Sequence, residues 1–253
     1  MRIKNILSCF VTAMIAISMA SCDPLSNDSN NENGNGNGGN GSKDDELAYV
    51  DMGLSVKWAK FNIGASKPEE YGDLYAWGEK TYYYKDGQAH NSNPEMKADK
   101  PSGYNDVSYC FYAFDIELGA SLTKYTEKDG KKVLEDADDV ASITLKETYR
   151  IPTAAEWQEL IDNCTVTKTS VNGVSGIKMT SKKSGYTDKS IFLPFGGYFK
   201  DQSLWDFKTM GNYWTATLDD TKEYMAKAFC ATDEPMIYGC QRAYGLSIRP
   251  VCK

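Results

Sequence analysis

The chemistry open to this chain is set first by a scarcity. His90 is the only histidine in 253 residues. A Ser-His-Asp or Cys-His hydrolase would have to be built around it, and a His-rich metal centre is excluded. Cysteine is more plentiful, with seven residues. Cys230 and Cys240 stand ten apart, and two thiolates could hold a soft Cu(I) ion. Disulfide pairing or burial is the simpler use. Cys110, Cys164, Cys230, Cys240 and Cys252 allow two disulfides with one thiol over, and spacing does not choose the pairing. No C-x-x-C pair occurs, which argues against a zinc ribbon or a redox motif. Glu135, Asp136, Asp138 and Asp139 form an acidic run without EF-hand spacing. Acidic residues opening a short helix, favoured by its dipole, account for the run. With 17 Tyr and 5 Trp, the chain is better supplied for binding than for catalysis, since large amphipathic rings suit contact surfaces.

Three segments position these residues. Arg2 and Lys4 precede an apolar run from Ile6 to Ala20, which ends Met19-Ala20-Ser21-Cys22. This reads as an export leader over residues 1–22, shorter than the roughly 20 apolar residues of a membrane span. Small residues directly before Cys22 resemble the lipobox of bacterial lipoproteins. That resemblance implies cleavage and acylation of Cys22, a lipid anchor in the outer membrane, and a surface-exposed chain; several acyl chains anchor stably where one is marginal. Residues 23–46 form an Asn/Gly-rich tether. Seven Asn and five Gly fill the 17 positions from Ser26 to Ser42, too little apolar area to offset chain entropy. The folded part is expected over 47–253. It holds 25 basic and 29 acidic residues, net −4, against −7 for the whole chain. The acidic balance argues against nucleic acid as a partner.

Within 47–253, Tyr49 to Asn62 reads as an opening hairpin turning at Gly53. Pro68 to Lys132 is irregular and rich in Gly, Pro, Asn and Tyr. Thr153 and Glu156 have capping-box spacing, and Trp157, Leu160, Ile161 and Cys164 follow at i, i+3, i+4 and i+7, which predicts a helix of about ten residues. Asn172-Gly173 between Cys164–Ser170 and Val174–Ser181 predicts a hairpin. Ile191–Phe195, Gly211–Leu218, Glu223–Cys230 and Gly245–Cys252 read as further strands. Short strands, one or two helices and long loops make an α+β domain. Trp205 is expected in a loop, and Arg249 as a buried partner for a carboxylate.

Several blocks are similar to the exported proteins that carry the major paralogous (FISUMP) domain. Val50-Asp51-Met52-Gly53-Leu54-Ser55-Val56-Lys57-Trp58-Ala59 resembles their opening "VDLGLSVKWA", and Gly72–Glu79 resembles "GDYFAWGE". Arg150–Trp157 is similar to "RMPTxAEW", Ser190–Pro194 to "SIFLP", Tyr213–Thr217 to "YWSST" and Leu246–Val251 to "FSVRPV". The blocks run in order through nearly the whole of 47–253, and Trp58, Trp77, Trp157 and Trp214 lie inside them, which implies a place in the core for all four. Phe61 stands where many relatives carry Cys, and Ser142–Glu147 lacks their "NWG". The resemblance implies a C-type lectin-like fold, shared with formylglycine-generating enzymes and retroelement-diversified receptors, with a loop-built ligand face. Asp233-Glu234-Pro235 lacks the pattern of the sugar-binding calcium motifs of that fold.

The leading expectation is a non-catalytic, surface-anchored binding or adhesion module, with no cofactor and no metal, taking a glycan or protein ligand. By position relative to the diversified relatives, its ligand face would use Tyr213, Trp214, Asp219, Asp220, Tyr224, Asp233, Glu234, Tyr238, Arg242 and Tyr244. Rings would stack on the ligand while carboxylates and Arg set polarity; core packing is the competing use of Tyr213 and Trp214. The alternatives are a structural or assembly subunit of a surface complex or appendage, and an oxidase of the formylglycine-generating type.

Overall fold

The computed structural model describes residues 49–80, 82, 84–85, 88–89, 103–145 and 148–252, all within one compact unit, Asp44–Lys253. The leader, Cys22, the tether and His90 lie outside the described residues. Among the described residues no helix is long and apolar enough to cross a membrane. The architecture is mixed α+β: mostly short antiparallel strands in several sheets, with two helices.

In chain order the strands are β1 (Tyr49–Val50), β2 (Lys57–Ala59), β3 (Asp73–Tyr75), β4 (Tyr84–Lys85), β5 (Gln88–Ala89), β6 (Tyr112–Asp115), β7 (Gly119–Leu122), β8 (Tyr149–Arg150) and β9 (Cys164–Val171). There follow β10 (Val174–Ser181), β11 (Ser190–Pro194), β12 (Tyr198–Lys200), β13 (Ser203–Trp205), β14 (Gly211–Leu218), β15 (Met225–Ala231), β16 (Met236–Gln241), β17 (Leu246–Ser247) and β18 (Val251–Cys252). The helices are α1 (Val140–Leu145) and α2 (Ala154–Asn163).

The opening hairpin forms as predicted, β1 on β2. Gly53 turns between them at φ +70°, where a Cβ would strike the Tyr186 ring. β18 then pairs with β2, Val251 opposite Trp58, so the two ends of the fold meet in one four-stranded sheet, β1-β2-β18-β8. The larger sheet runs β16-β15-β14-β17-β3-β4-β5. The Asn172-Gly173 hairpin also forms, with both residues at positive φ and β9 paired to β10 along its whole length. Trp205 does not sit in a loop: β13 pairs with β12, placing Trp205 opposite Tyr198 with its ring half exposed. The predicted Gly245–Cys252 strand is interrupted, because Ile248 to Pro250 cross from the larger sheet to the smaller one.

β14 is the spine of the fold. Its alternation sends Trp214, Ala216 and Leu218 to one core with Trp77, Tyr125, Ala226 and Ala228. Tyr213 goes to a second core with Trp58, Trp157, Leu160 and Phe229. Trp157 of α2 stacks on Phe229, centroids 4.1 Å apart and planes 10° apart. Its indole donates to the Trp214 carbonyl at 3.4 Å. The capping box holds as its spacing predicts: Glu156 N donates to the Thr153 hydroxyl at 3.3 Å, and Thr153 N donates to Glu156 Oε2 at 2.8 Å. Arg150 Nη1 reaches the same oxygen at 2.8 Å.

Partial burial raises the Glu156 carboxyl, but hydrogen bonds from Arg150 and Thr153 outweigh it and leave the group below its usual range. A carboxylate held down in the folded state adds stability at neutral pH that is lost as pH falls through its folded pKa, here below 4.5. Glu156→Gln should therefore cost about 1–2 kcal/mol at pH 7, and the cost should shrink toward zero below that pH. Urea unfolding at pH 7 and pH 3.5 checks this; an equal cost at both values refutes it.

Arg249 is fully buried, but its partners are not carboxylates. Nε donates to Asn62 Oδ1 at 2.8 Å, and Nη1 donates to the carbonyls of Ala59 and Lys60 at 3.1 and 2.8 Å. Nη2 donates to the Phe192 carbonyl at 2.9 Å. Carbonyl dipoles replace the expected ion pair and stitch β18 to the β2 and β11 segments. Burial lowers the guanidinium to about 10, so it keeps its charge at neutral pH.

Candidate functional site

The face of β14–β15–β16 that carries Trp214 and Ala228 is covered by core only along part of its length. Beyond Ala228 the same face presents Asn212, Cys230, Met236 and Tyr238, and there a cavity of about 450 Å³ opens. Its other walls come from β12 (Tyr198), the turn before β14 (Asp206, Met210), the start of β15 (Met225) and Tyr244 after β16. Tyr198 and Tyr244 stack, centroids 5.8 Å apart and planes 21° apart. Met210 Sδ lies 3.9 Å from Cys230 Sγ. Thioethers and rings give this wall soft, polarizable, adaptable apolar surface.

Polar groups here are few and specific. Asp206 is the charged residue among the lining. Tyr238 donates its hydroxyl to Asn212 Oδ1 at 2.7 Å. Asn212 is 3% exposed, and its Nδ2 has no hydrogen-bond partner. An unsatisfied buried donor costs about 1–3 kcal/mol. The amide is half satisfied: Oδ1 meets the Tyr238 hydroxyl, while Nδ2 is the buried side-chain atom of this cavity without a partner.

Burial pushes the Tyr238 hydroxyl and the Cys230 thiol up, with Cys240 and Asp206 adding respectively to each. Cys240 is pushed up to about 12, again by burial first. Thiols held protonated in this way are not activated nucleophiles. Cys164, Cys230 and Cys240 are free thiols. Cys230 pairs with Met236 and Cys240 with Ala226, four residues away along β15. That is about 13 Å of strand, beyond the roughly 7 Å Cα limit of a disulfide and too far for the two thiolates to share one copper ion. The donor set sought from these two cysteines does not come together.

The ten residues expected on a ligand face are dispersed. Tyr238 and Tyr244 line the cavity just described. Tyr213 and Trp214 are 0% exposed and belong to the two cores, because β14 is covered on both faces. Arg242 is 1% exposed and, with the half-exposed Tyr224, lines a smaller cavity of about 280 Å³. Asp219 meets Tyr238 at a third cavity of about 430 Å³ beside the start of α2. Its Oδ1 accepts from Thr221 N at 2.9 Å and Lys222 N at 3.2 Å, so it builds the β14–β15 turn. Although partial burial opposes it, these bonds hold its carboxyl below the usual range. Asp220 pairs with Lys227, Asp233 lies 3.9 Å from Lys168, and Glu234 is exposed. Sequence reasoning missed Tyr198, Met210, Asn212, Met225, Cys230 and Met236. Only Asn212 left a readable signal, as an amide inside the apolar run GNYWTATL.

Fold and cavity together define a mixed α+β protein with an apolar, sulfur- and tyrosine-lined cavity. Comparison with protein-family models, curated proteins and solved structures returns no match.

Proposed function

We propose that this chain is a surface-anchored, non-catalytic binding or adhesion lipoprotein of the FISUMP type with a C-type lectin-like domain, tethered through Cys22 and holding a glycan or protein ligand. The observation that carries the reading is the cavity of about 450 Å³ with the unpartnered Nδ2 of Asn212, since apolar walls with a few placed polar groups are the general form of a ligand site. The ligand face is redrawn around Tyr198, Asn212, Tyr238 and Tyr244, and Tyr213, Trp214 and Arg242 leave it for structural roles. An array of glycans and host proteins probed with the purified protein tests it. A signal lost in Tyr238→Ala and Tyr244→Ala supports the reading; an array silent at high protein concentration refutes it. The anchor has its own test, acyl labelling that disappears in Cys22→Ala.

A second reading, the assembly subunit, is favoured by one element. The β6–β7 hairpin presents Phe114, Ile116 and Leu118 at 68, 93 and 88% exposure. The tip is ordered: Asp115 Oδ1 accepts from Glu117 N at 2.8 Å and Leu118 N at 2.9 Å. An exposed apolar tip held by these bonds suits a protein contact. On this reading the protein self-associates, and Ile116→Glu with Leu118→Glu should raise the dissociation constant at least tenfold in sedimentation velocity, leaving the melting temperature unchanged. A monomer at all concentrations refutes it.

A further inference from the structure

The cavity's chemistry narrows its ligand, on the reading that the cavity is the binding site. Three of its walls are thioethers, from Met210, Met225 and Met236, and a fourth is the Tyr198–Tyr244 stack. Such walls gain contact with an apolar or aromatic body and offer almost nothing to a ring of bare hydroxyls. The charged side chain among the lining is Asp206, which disfavours an anionic ligand. Among the lining side chains one buried polar atom is a donor without an acceptor: Asn212 Oδ1 is taken by the Tyr238 hydroxyl, while Nδ2 has no partner. A ligand that supplies a carbonyl oxygen there satisfies it. A ligand that brings only another donor does not.

We infer that the cavity takes a neutral or cationic ligand in which an amide carbonyl is attached to an apolar body, the carbonyl accepting from Asn212 Nδ2 and the body lying among the three methionines and the stacked tyrosines. Two sources share that chemistry, a peptide with an aromatic side chain and an N-acylated sugar. The stacked tyrosines serve either, through a side chain or through the apolar face of a pyranose.

The test uses the full-length protein carrying ¹³C-methyl methionine, so that Met210, Met225 and Met236 report directly from the cavity. The probes are N-acetylphenylalaninamide and N-acetylglucosamine, each beside its carbonyl-free counterpart, phenethylamine and glucosamine. Saturable shifts of those three methyls are expected with an acetylated probe, at least tenfold weaker with its counterpart; the probe that saturates identifies the source. In Asn212→Leu the acetylated probe should lose about tenfold, the size of one hydrogen bond to a buried donor. Asn212→Asp, which keeps the shape and turns the donor into an acceptor, should lose at least as much. Met52 and Met179, buried in the other core, show in the same spectra that each variant is folded. Equal binding of acetylated and carbonyl-free probes, an unchanged affinity in both Asn212 variants, or unmoved cavity methyls each overturn the inference. The binding reading fails separately, by a silent array: an array signal that depends on Tyr238 while these probes leave the methyls unmoved keeps the site and ends the ligand assignment.

Discussion

Replacing Arg242 with alanine should lower the unfolding free energy by about 3–5 kcal/mol, from buried acceptors left unmet at about 1–3 kcal/mol each with partial relaxation and from the cavity the side chain leaves. The melting temperature should fall by about 10 °C, at roughly 2–4 °C per kcal/mol for a domain of this size. The guanidinium sits among four rings, 4.9 Å from the centroid of Trp77, 5.4 Å from Tyr109 and 5.8 Å from both Phe111 and Tyr125. Its nitrogens donate to the Tyr109 hydroxyl at 3.1 Å and to the carbonyls of Lys124 and Glu223 at 2.8 Å and Tyr125 at 3.2 Å. Desolvating a charge is repaid only when its donors are met and its field is answered, and here carbonyl dipoles and ring faces do both. The side chain ties three separate stretches together: the irregular segment from Tyr109 to Tyr125, the turn before β15, and Trp77 after β3. Alanine would take these donors from the carbonyls of Lys124, Tyr125 and Glu223 and leave a cavity against four rings. Arg242→Lys should recover little, because one ammonium cannot span the fork that reaches both Lys124 and Glu223. Calorimetry of both variants decides it. A loss under 1 kcal/mol in Arg242→Ala would show that the rings close over the gap unaided, and the clamp would be no clamp.

The contrast between Arg242 and Asn212 shows where the sequence was readable. Local patterns transferred well: the Thr153–Glu156 spacing, the apolar face Trp157, Leu160, Ile161 and Cys164, and the Asn172-Gly173 turn all depend on neighbours within a few residues. Placement across the fold did not transfer. Whether Trp214 faces ligand or core depends on β15 and β17 flanking β14, partners that lie 11 or more residues away or arrive from the far end of the chain. Position relative to the diversified relatives puts Arg242 on the ligand face; it is buried because residues 109–125, which carry no sustained period, fold back over it. Arg249 shows the same limit: its acceptors, three backbone carbonyls and the Asn62 amide oxygen, lie 57 to 190 residues away in sequence. The cavity was least legible. Its walls come from β12, the 206–210 turn, β14, β15, β16 and Tyr244, and methionines spaced 11 to 15 apart make no motif. Even the shared sulfur-rich environment of Cys230 and Cys240 arises from strand register and not from their separation in sequence.

Asp139 carries the second large effect, and its pH dependence runs opposite to that of Glu156. The carboxylate is 3% exposed. Oδ1 accepts from Ala141 N at 2.9 Å and Ser142 N at 3.2 Å, and Oδ2 accepts from Ile151 N at 2.7 Å. It thus caps α1 and fastens that helix to the chain leaving β8, which leads into α2. Asp139→Ala strands three amides in or near the core and should cost about 3–4 kcal/mol, given about 1–3 for each unmet donor and partial relaxation. Asp139→Asn keeps one acceptor but turns an amide NH₂ toward a backbone N–H, and should cost about 2 kcal/mol. Burial raises the Asp139 carboxyl above its usual value, against the pull of the three amides and Arg150. A group that holds its proton more tightly when folded makes stability fall as pH rises from 3.8 through its folded pKa. The penalty of Asp139→Asn should therefore be larger at pH 3.5 than at pH 7, whereas that of Glu156→Gln should be larger at pH 7. Urea titrations of the two variants and the wild type at both values supply the test. Penalties that move in the same direction would mean that Asp139 is ionised against no desolvation cost, and that its three hydrogen bonds outweigh its burial.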